Sequence, residues 1–281
     1  MTDKITIPTL ADKKTRGEKI TAVTAYDYPT ARLADEAGID FLLVGDSVSM
    51  AVAGRETTLE ATVDEMIYHT RAARRGVRRA LLVTDMPFGS YHTSDADSIG
   101  NALRLVKEGG AEAVKLEGGR KQAPLVERLV DAEIPVMGHI GLTPQAIHRM
   151  GGYRVQGKTA EAGQTLLEDA RALEAAGAFS VVLEGMPREL AAWITQEVGI
   201  PTIGIGAGPD CDGQILVFHD LVGLSFGTRP KFVRSYANLS AEILRALEAY
   251  AADVRSAAFP ADEESYHLPS ARVLTEPHGE R

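Results

Sequence analysis

Residues 113–119 read AVKLEGG, and how this stretch is read decides the fold. It opens on small and branched apolar residues suited to a buried strand. It ends on Lys115 and Glu117, which stand two apart and so share one face of an extended chain, before a pair of glycines. The same grammar of apolar start and polar or glycine-rich end recurs in ITAVTAYD (20–27), FLLVGDS (41–47), ALLVTDMPF (80–88), PVMGHIGL (135–142), SVVLEGM (180–186), PTIGIGAG (201–208) and GQILVFHD (213–220). Between these runs the spacing predicts helices over 29–37, 62–75, 96–108, 122–132, 158–176 and 187–198, with one more over 237–254 after the last strand. Only the seventh and eighth strands are joined too tightly for a full helix. Apolar strands alternating with helices make a parallel sheet covered on its outer side. Eight of them in a chain of this length suit a closed (β/α)8 TIM barrel, an α/β fold of typically about 250 residues. An open doubly wound sheet is the competing arrangement. It is disfavoured because reactive residues end six or more strands instead of gathering at one switch point. The expected organisation is one barrel domain over residues 1–281, with a short N-terminal segment and an acidic tail from about 259 to 281.

Bulk properties narrow the function classes. The formal charge of −9 argues against nucleic acid as the main partner, since phosphate binding needs clustered cations. The N-terminal MTDKITIPTLADKKTRGEKI is polar rather than a signal peptide, and no apolar run approaches a membrane span. A cytoplasmic protein without membrane contact is expected. The single cysteine, Cys211, precludes an internal disulfide. No metal-ligand or base spacing surrounds it, so it reads as structural.

The polar residues fall at the C-terminal ends of the strands, which form one rim in a parallel barrel and are where barrel enzymes place catalysis. They are Tyr26 and Asp27, Asp46 and Ser47, Asp85, Lys115 and Glu117, His139, and Glu184. Helix capping explains a lone aspartate there but does not favour Lys, His or Glu. Asp46, Asp85 and Glu117 end neighbouring strands, and three converging carboxylates repel unless a cation holds them. All-oxygen ligation points to Mg2+, with Mn2+, Co2+ or Zn2+ as replacements, and one carboxylate can act through a bound water. Lys115 reaches the same chamber, either to pair with a substrate carboxylate or as a counter-charge. His139 can donate to an oxyanion, ligate the metal, or be a satisfied core residue. Glu184, on the sixth strand, faces the metal site from across the barrel. Its apolar setting, VVLEGM, predicts a raised pKa suited to a general base. Proton abstraction beside a carbonyl follows, with the metal stabilising the enolate.

Seven blocks in order, VGDS (44–47), DMPF (85–88), VKLEGG (114–119), GHIGLTPQ (138–145), GGYRVQG (151–157), LEGMP (183–187) and IGIGAGPDCDGQILVFHD (203–220), resemble the ketopantoate hydroxymethyltransferase family over about Ile20 to Phe259. The resemblance implies a barrel of the phosphoenolpyruvate and pyruvate-binding superfamily, assembled as a homo-oligomer, often a decamer. It implies transfer of a one-carbon unit from the co-substrate 5,10-methylenetetrahydrofolate to 3-methyl-2-oxobutanoate, giving 2-dehydropantoate in pantothenate and coenzyme A biosynthesis. By motif, it places Mg2+ on Asp46, Asp85 and Glu117, directly or through water. Substrate contacts fall to Asp46, Ser47, Asp85 and Lys115 with His139 nearby, and Glu184 is the proton acceptor. A rival within that superfamily is a carbon–carbon or carbon–phosphorus lyase or mutase, which would carry a reactive cysteine in a Lys-Cys-Gly-His-like loop. The loop 51–58 and GGYRVQG are expected to cover the rim and exclude water. The GIGAG glycines admit either a ligand's backbone approach or close packing.

Overall fold

A computed structural model of the chain describes residues 3–227 and 229–268. Eight parallel strands close in chain order into a barrel: β1 (Ile20–Thr24), β2 (Phe41–Val44), β3 (Leu81–Asp85), β4 (Ala113–Glu117), β5 (Val136–Gly141), β6 (Ser180–Glu184), β7 (Thr202–Ile205) and β8 (Gly213–Leu216). The helices are α1 (Ile7–Arg16), α2 (Tyr28–Glu36), α3 (Val48–Ala51), α4 (Val63–Arg74), α5 (Asp95–Arg104), α6 (Ala123–Asp131), α7 (Ile147–Met150), α8 (Ala160–Ala175), α9 (Arg188–Glu197), α10 (Phe218–Val222) and α11 (Leu239–Arg255). The closed TIM barrel expected from the strand count is the fold observed, and the open sheet is excluded because β8 pairs with β1.

Strand alternation builds two cores. One member of each pair faces outward under the helices, as with Leu42, Val44, Leu82, Val114, Leu116, Val181 and Leu183. The other faces the barrel axis, as with Ile20, Phe41, Leu43, Leu81, Val83, Ala113, Met137, Val182 and Ile203. The inward residues near the strand starts are sealed by Ile5 and by Leu10 of α1, which belong to the same apolar cluster. Thr6 starts α1 with a reciprocal cap to Thr9, and the Ile5 amide donates to the Arg79 carbonyl, 2.8 Å away. The segment expected as a plain N-terminal extension is therefore a plug for the lower end of the barrel.

Every expected run extends past the end of its observed strand, and for β1 and β8 the excess is taken up by the start of a helix. β1 stops at Thr24, and Asp27 caps α2 by accepting from the Thr30 amide at 2.8 Å. Here the capping explanation holds, since the Asp27 side chain is spent on its helix. β8 stops at Leu216, and residues 218–222 turn into α10. Of the acidic tail, residues 259–268 are described and 269–281 lie outside the described residues.

Candidate active site

Following the inward-facing alternation up each strand gives the site directly. On β3 the inward series is Leu81, Val83, Asp85; on β4 it is Ala113, Lys115, Glu117; on β5 it is Met137 and His139; on β6 it is Val182 and Glu184. Hydrophobic floor and charged mouth are thus the lower and upper layers of one side-chain stack. Register then chooses neighbours. Asp85 lies beside Lys115, Glu117 beside His139, and Glu184 beside Gly141 on the flank of β5.

The contacts follow that register. Lys115 Nζ stands 2.9 Å from Asp85 Oδ1, with both side chains almost fully buried. His139 Nδ1 is 3.5 Å from Glu117 Oε1, and its Nε2 is 3.1 Å from Glu184 Oε2. Lys115 Nζ also lies 3.3 Å from His139 Nδ1. Asp46, just past β2, donates its amide to Asp85 Oδ2 at 2.9 Å. Ser47 follows, its hydroxyl 2.8 Å from that of Tyr26. The structure therefore brings together the seven residues given metal, substrate or proton-acceptor roles from the sequence, Asp46, Ser47, Asp85, Lys115, Glu117, His139 and Glu184. Glu184 does not sit in an apolar pocket, however, because the alternation that aims it inward sets it against the imidazole of His139.

The charges are strongly coupled. Burial, and then the charges of Asp85 and Glu117, holds the Asp46 carboxyl well above the usual carboxylate range. Burial also lifts Asp85, against the opposing pull of Lys115. For Glu117, burial is outweighed by His139, Lys115 and the Gln145 amide, and its carboxyl is lowered. For Lys115, burial is outweighed by Asp85, Glu117 and Asp46, and the ammonium is raised. Burial and Lys115 both oppose charging of His139, yet its bonds to Glu117 and Glu184 raise it to about 9. At neutral pH His139 is an imidazolium aimed at Glu117 and Glu184, while the Lys115 ammonium turns to Asp85.

These groups suit a divalent cation at one edge. Four carboxylates, of Asp46, Asp85, Glu117 and Glu184, share the mouth with two basic side chains, Lys115 and His139, and among the described residues Asp46 has no cationic partner of its own. Asp85 Oδ1 and His139 Nε2 have no aligned hydrogen-bond partner; the short distances to Lys115 and Glu184 are ionic contacts off the bonding direction. Among the described residues no three carboxylate, imidazole or thiolate groups converge into a metal cage. Mg2+ does not need one, since it keeps several waters and takes one or two carboxylates. Asp46 and Asp85 could supply those. Glu117 has both oxygens engaged, Oε2 by the Gln145 amide at 3.0 Å and Oε1 by His139, so it is placed to act through water.

Gln145 is the functional residue that sequence reasoning passed over. A short 3-10 turn at Pro144–Ala146 folds it back over the barrel mouth. Its Nε2 donates to Asp46 Oδ2 at 2.8 Å and to the Met86 carbonyl at 3.0 Å, while the Tyr91 hydroxyl donates to its Oε1 at 2.5 Å. One buried residue thus fixes two carboxylates, Asp46 through its side-chain amide and Glu117 through its backbone N–H. GLTPQ was legible as a motif, but nothing in it says that the glutamine turns inward.

The loops also resolve. Arg55 ties the 51–62 segment to Glu65 at 2.5 Å, and Ser49 Oγ donates to the Thr57 carbonyl at 2.8 Å. From GGYRVQG, Tyr153 Oη reaches Met50 Sδ at 3.6 Å, so this loop meets α3 just before the 51–58 segment. Close packing requires the glycines of VKLEGG, since a Cβ on Gly119 would lie 2.0 Å from the Asp169 carboxyl carbon and Gly118 has φ of 125°, and both also line a cavity beside the mouth. GIGAG is likewise packed, a Cβ on Gly204 falling 2.9 Å from Cys211 Sγ. Cys211 is buried, its thiol pushed up by that burial, which removes it as the reactive cysteine of a lyase.

Residues 4–262 match the family model described as ketopantoate hydroxymethyltransferase. The chain is 59% identical over 272 residues to the 3-methyl-2-oxobutanoate hydroxymethyltransferase of Koribacter versatilis, covering 97% of this chain and 92% of that protein. It is 57% identical over 261 residues to the enzyme of the same name from Geobacter sulfurreducens, with 93% and 98% covered. Among solved structures, phosphonopyruvate hydrolase in complex with oxalate and Mg2+ superposes with a TM-score of 0.59 at 15% identity, covering 92% of each chain. A 2,3-dimethylmalate lyase of the phosphoenolpyruvate mutase and isocitrate lyase superfamily superposes with a TM-score of 0.59 at 17% identity, covering 92% and 91%. At those identities the likeness is one of fold.

Proposed function

Because the chain belongs to the ketopantoate hydroxymethyltransferase family, we propose that it moves a one-carbon unit from 5,10-methylenetetrahydrofolate to 3-methyl-2-oxobutanoate, giving 2-dehydropantoate. The observation that supports this best is the placement of Glu184 across His139 from the Asp46, Asp85 and Lys115 cluster. A 2-oxo acid seated on the cluster would present its C3 hydrogen to that carboxylate.

Each residue then has a task. Asp46 and Asp85 would hold Mg2+, with Glu117 placed to act through water, and the ion would supply Lewis acidity toward the 2-oxo acid's oxygens. Lys115 balances the substrate's negative charge. Ser47 donates to the substrate carboxylate, its hydroxyl oriented by Tyr26. Glu184 accepts the C3 proton, and the His139 imidazolium orients Glu184 from one side while Glu117 anchors the ring from the other. C3 forms a bond to the donor's methylene carbon as that carbon's two bonds to N5 and N10 break, water supplies the hydroxyl oxygen, and the two protons returned to the nitrogens come from Glu184 and from that water. The meeting of Tyr153 with Met50 restricts access of bulk water to this chamber.

The homo-oligomer that the family implies is supported by α11, none of whose residues is buried. Ile243, Leu244, Leu247 and Tyr250 are all about half exposed or more on one copy, an apolar surface larger than scattered residues explain. A decamer is the assembly expected, and sedimentation of the purified chain reads the copy number.

The deciding experiment incubates the protein with 3-methyl-2-oxobutanoate, Mg2+ and 5,10-methylenetetrahydrofolate and follows 2-dehydropantoate. Absence of product with every divalent ion tried would overturn the assignment.

A further inference from the structure

Beside the charged mouth, on the flank formed by the ends of β3, β4 and β5, lies a cavity of about 710 Å3. That volume lies in the range that takes a small organic ligand. Its buried lining includes Gln145, which bonds Asp46, and Glu117 and Tyr91, which bond Gln145, so it adjoins the reaction chamber. None of the residues given tasks in handling the 2-oxo acid, other than Glu117, lines it.

The walls have two distinct chemistries. On one side stand aromatic rings: Phe88, three residues beyond Asp85 and about half exposed, with its ring 5.2 Å from that of His92, which in turn lies 4.2 Å from Tyr91. Exposing a phenylalanine beside a cavity wastes its burial unless a flat partner covers it. On the other side, toward solvent, are Lys121 and Arg149, neither of which has a carboxylate partner among the described residues. The acidic groups facing the cavity are already engaged. Glu117 is held by the Gln145 amide and His139, and Asp169 by Arg120 through its amide at 2.9 Å and its Nε at 3.3 Å. The open charge at the outer rim is therefore positive.

A flat, ring-bearing end near the chamber and an anionic end at a cationic rim describe one class of ligand, a pteridine carrying an aryl-glutamate tail. We propose that this cavity is the site of the one-carbon donor, with the pteridine ring on Phe88 and the tail carboxylates on Lys121 and Arg149. The inference rests on the proposed hydroxymethyl transfer and assigns its second substrate a place. The donor's methylene carbon then enters from the β4 side, with His139 of β5 between it and Glu184, and a tail of several glutamates runs outward past Lys121 and Arg149.

The test separates donor from acceptor. Tetrahydrofolate bearing one or several glutamates is titrated against the full-length wild type, Phe88→Ala and a Lys121→Glu, Arg149→Glu double variant. Steady-state KM values for donor and keto acid, and deuterium exchange at C3 of 3-methyl-2-oxobutanoate, are measured alongside. Loss of an aromatic stacking face weakens binding by about tenfold, so Phe88→Ala is expected to raise donor Kd and KM by that factor for either tail length. The double variant is expected to abolish the preference for the longer tail, by about tenfold or more. Keto acid KM and C3 exchange, which read the other half of the site and report correct folding, stay at wild-type values in both. Donor Kd within about twofold of wild type in both variants, or an equal rise in keto acid KM, overturns the inference. A wild type that binds tetrahydrofolate at this cavity yet forms no 2-dehydropantoate overturns the transfer reaction and leaves the cavity assignment standing.

Discussion

Replacing Lys115 with methionine isolates the electrostatics of the barrel mouth. The substitution roughly keeps the side-chain volume, but Asp85 loses the ammonium 2.9 Å away and is left buried as an uncompensated anion. Breaking a buried pair in this way costs about 3–5 kcal/mol. The loss has a ceiling, because Asp85 can take up a proton on folding. From an ordinary carboxyl value of 3.8, that uptake costs about 4.4 kcal/mol near pH 7 and about 1.6 kcal/mol near pH 5, at about 1.36 kcal/mol per unit. In the variant the folded carboxyl lies above its unfolded value. Its penalty is therefore absent below the unfolded value and grows as pH rises. Urea unfolding without added divalent ions is the assay, on wild type and variant together at both pH values. The expected deficit is about 3–4 kcal/mol near pH 7 and below about 2 kcal/mol near pH 5. An equal deficit at the two pH values refutes the reasoning, since the stranded group would then not be a carboxylate.

The other expectations follow from the same geometry. Glu184→Gln keeps the contact with His139 but removes the proton acceptor; C3 deuterium exchange is expected to fall by about two to four powers of ten, while keto acid still protects the variant against heat. Gln145→Leu strips one charge-assisted bond from Asp46, worth about 1.5–3 kcal/mol. Mn2+ affinity read by paramagnetic relaxation should drop about tenfold to a hundredfold, and unchanged affinity would dissociate Gln145 from the ion. Arg55→Ala tests the rim loop. Arg55 first, against a smaller opposing effect of burial, pulls Glu65 down to about 2, so the pair stabilises above the ordinary value of 4.5 and that benefit fades as pH falls toward 2. With both side chains about a third exposed, solvent limits it to about 1 kcal/mol or less, detectable as a small stability loss near neutral pH that vanishes in acid. Leu247→Asp on α11 should lower the sedimenting mass without altering the barrel's circular dichroism.

Much of this site was legible in the sequence because strand alternation is rigid. Once AVKLEGG is a barrel strand with Ala113 inward, Lys115 and Glu117 must be inward too, and the same parity places Asp85, His139 and Glu184. The neighbours within the mouth were not legible, because they depend on register between strands distant in sequence. Nothing local in VVLEGM reveals that Glu184 meets His139. Gln145 was invisible for a related reason. It belongs to no strand, and its inward turn depends on a 3-10 segment whose residues fit a surface loop equally well. Asp27 shows the converse, a strand-end aspartate that looks reactive and instead caps a helix.

The placement of Gln145 also explains why a mouth with so much buried charge can exist without a closed metal cage. Its amide group bonds Asp46 and its backbone nitrogen bonds Glu117, so two carboxylates from opposite sides of Asp85 are held by one neutral residue. Tyr91 fixes that residue in turn. Neutral donors orient anions without cancelling their charge, whereas a further lysine would cancel it and leave nothing to attract a divalent ion. The polar network therefore leaves Asp46 without a cationic partner while Lys115 pairs with Asp85 and His139 with Glu117. Electrostatic demand is concentrated at the edge where Asp46 and Asp85 meet, which is where the proposed reaction seats the 2-oxo acid and its cation.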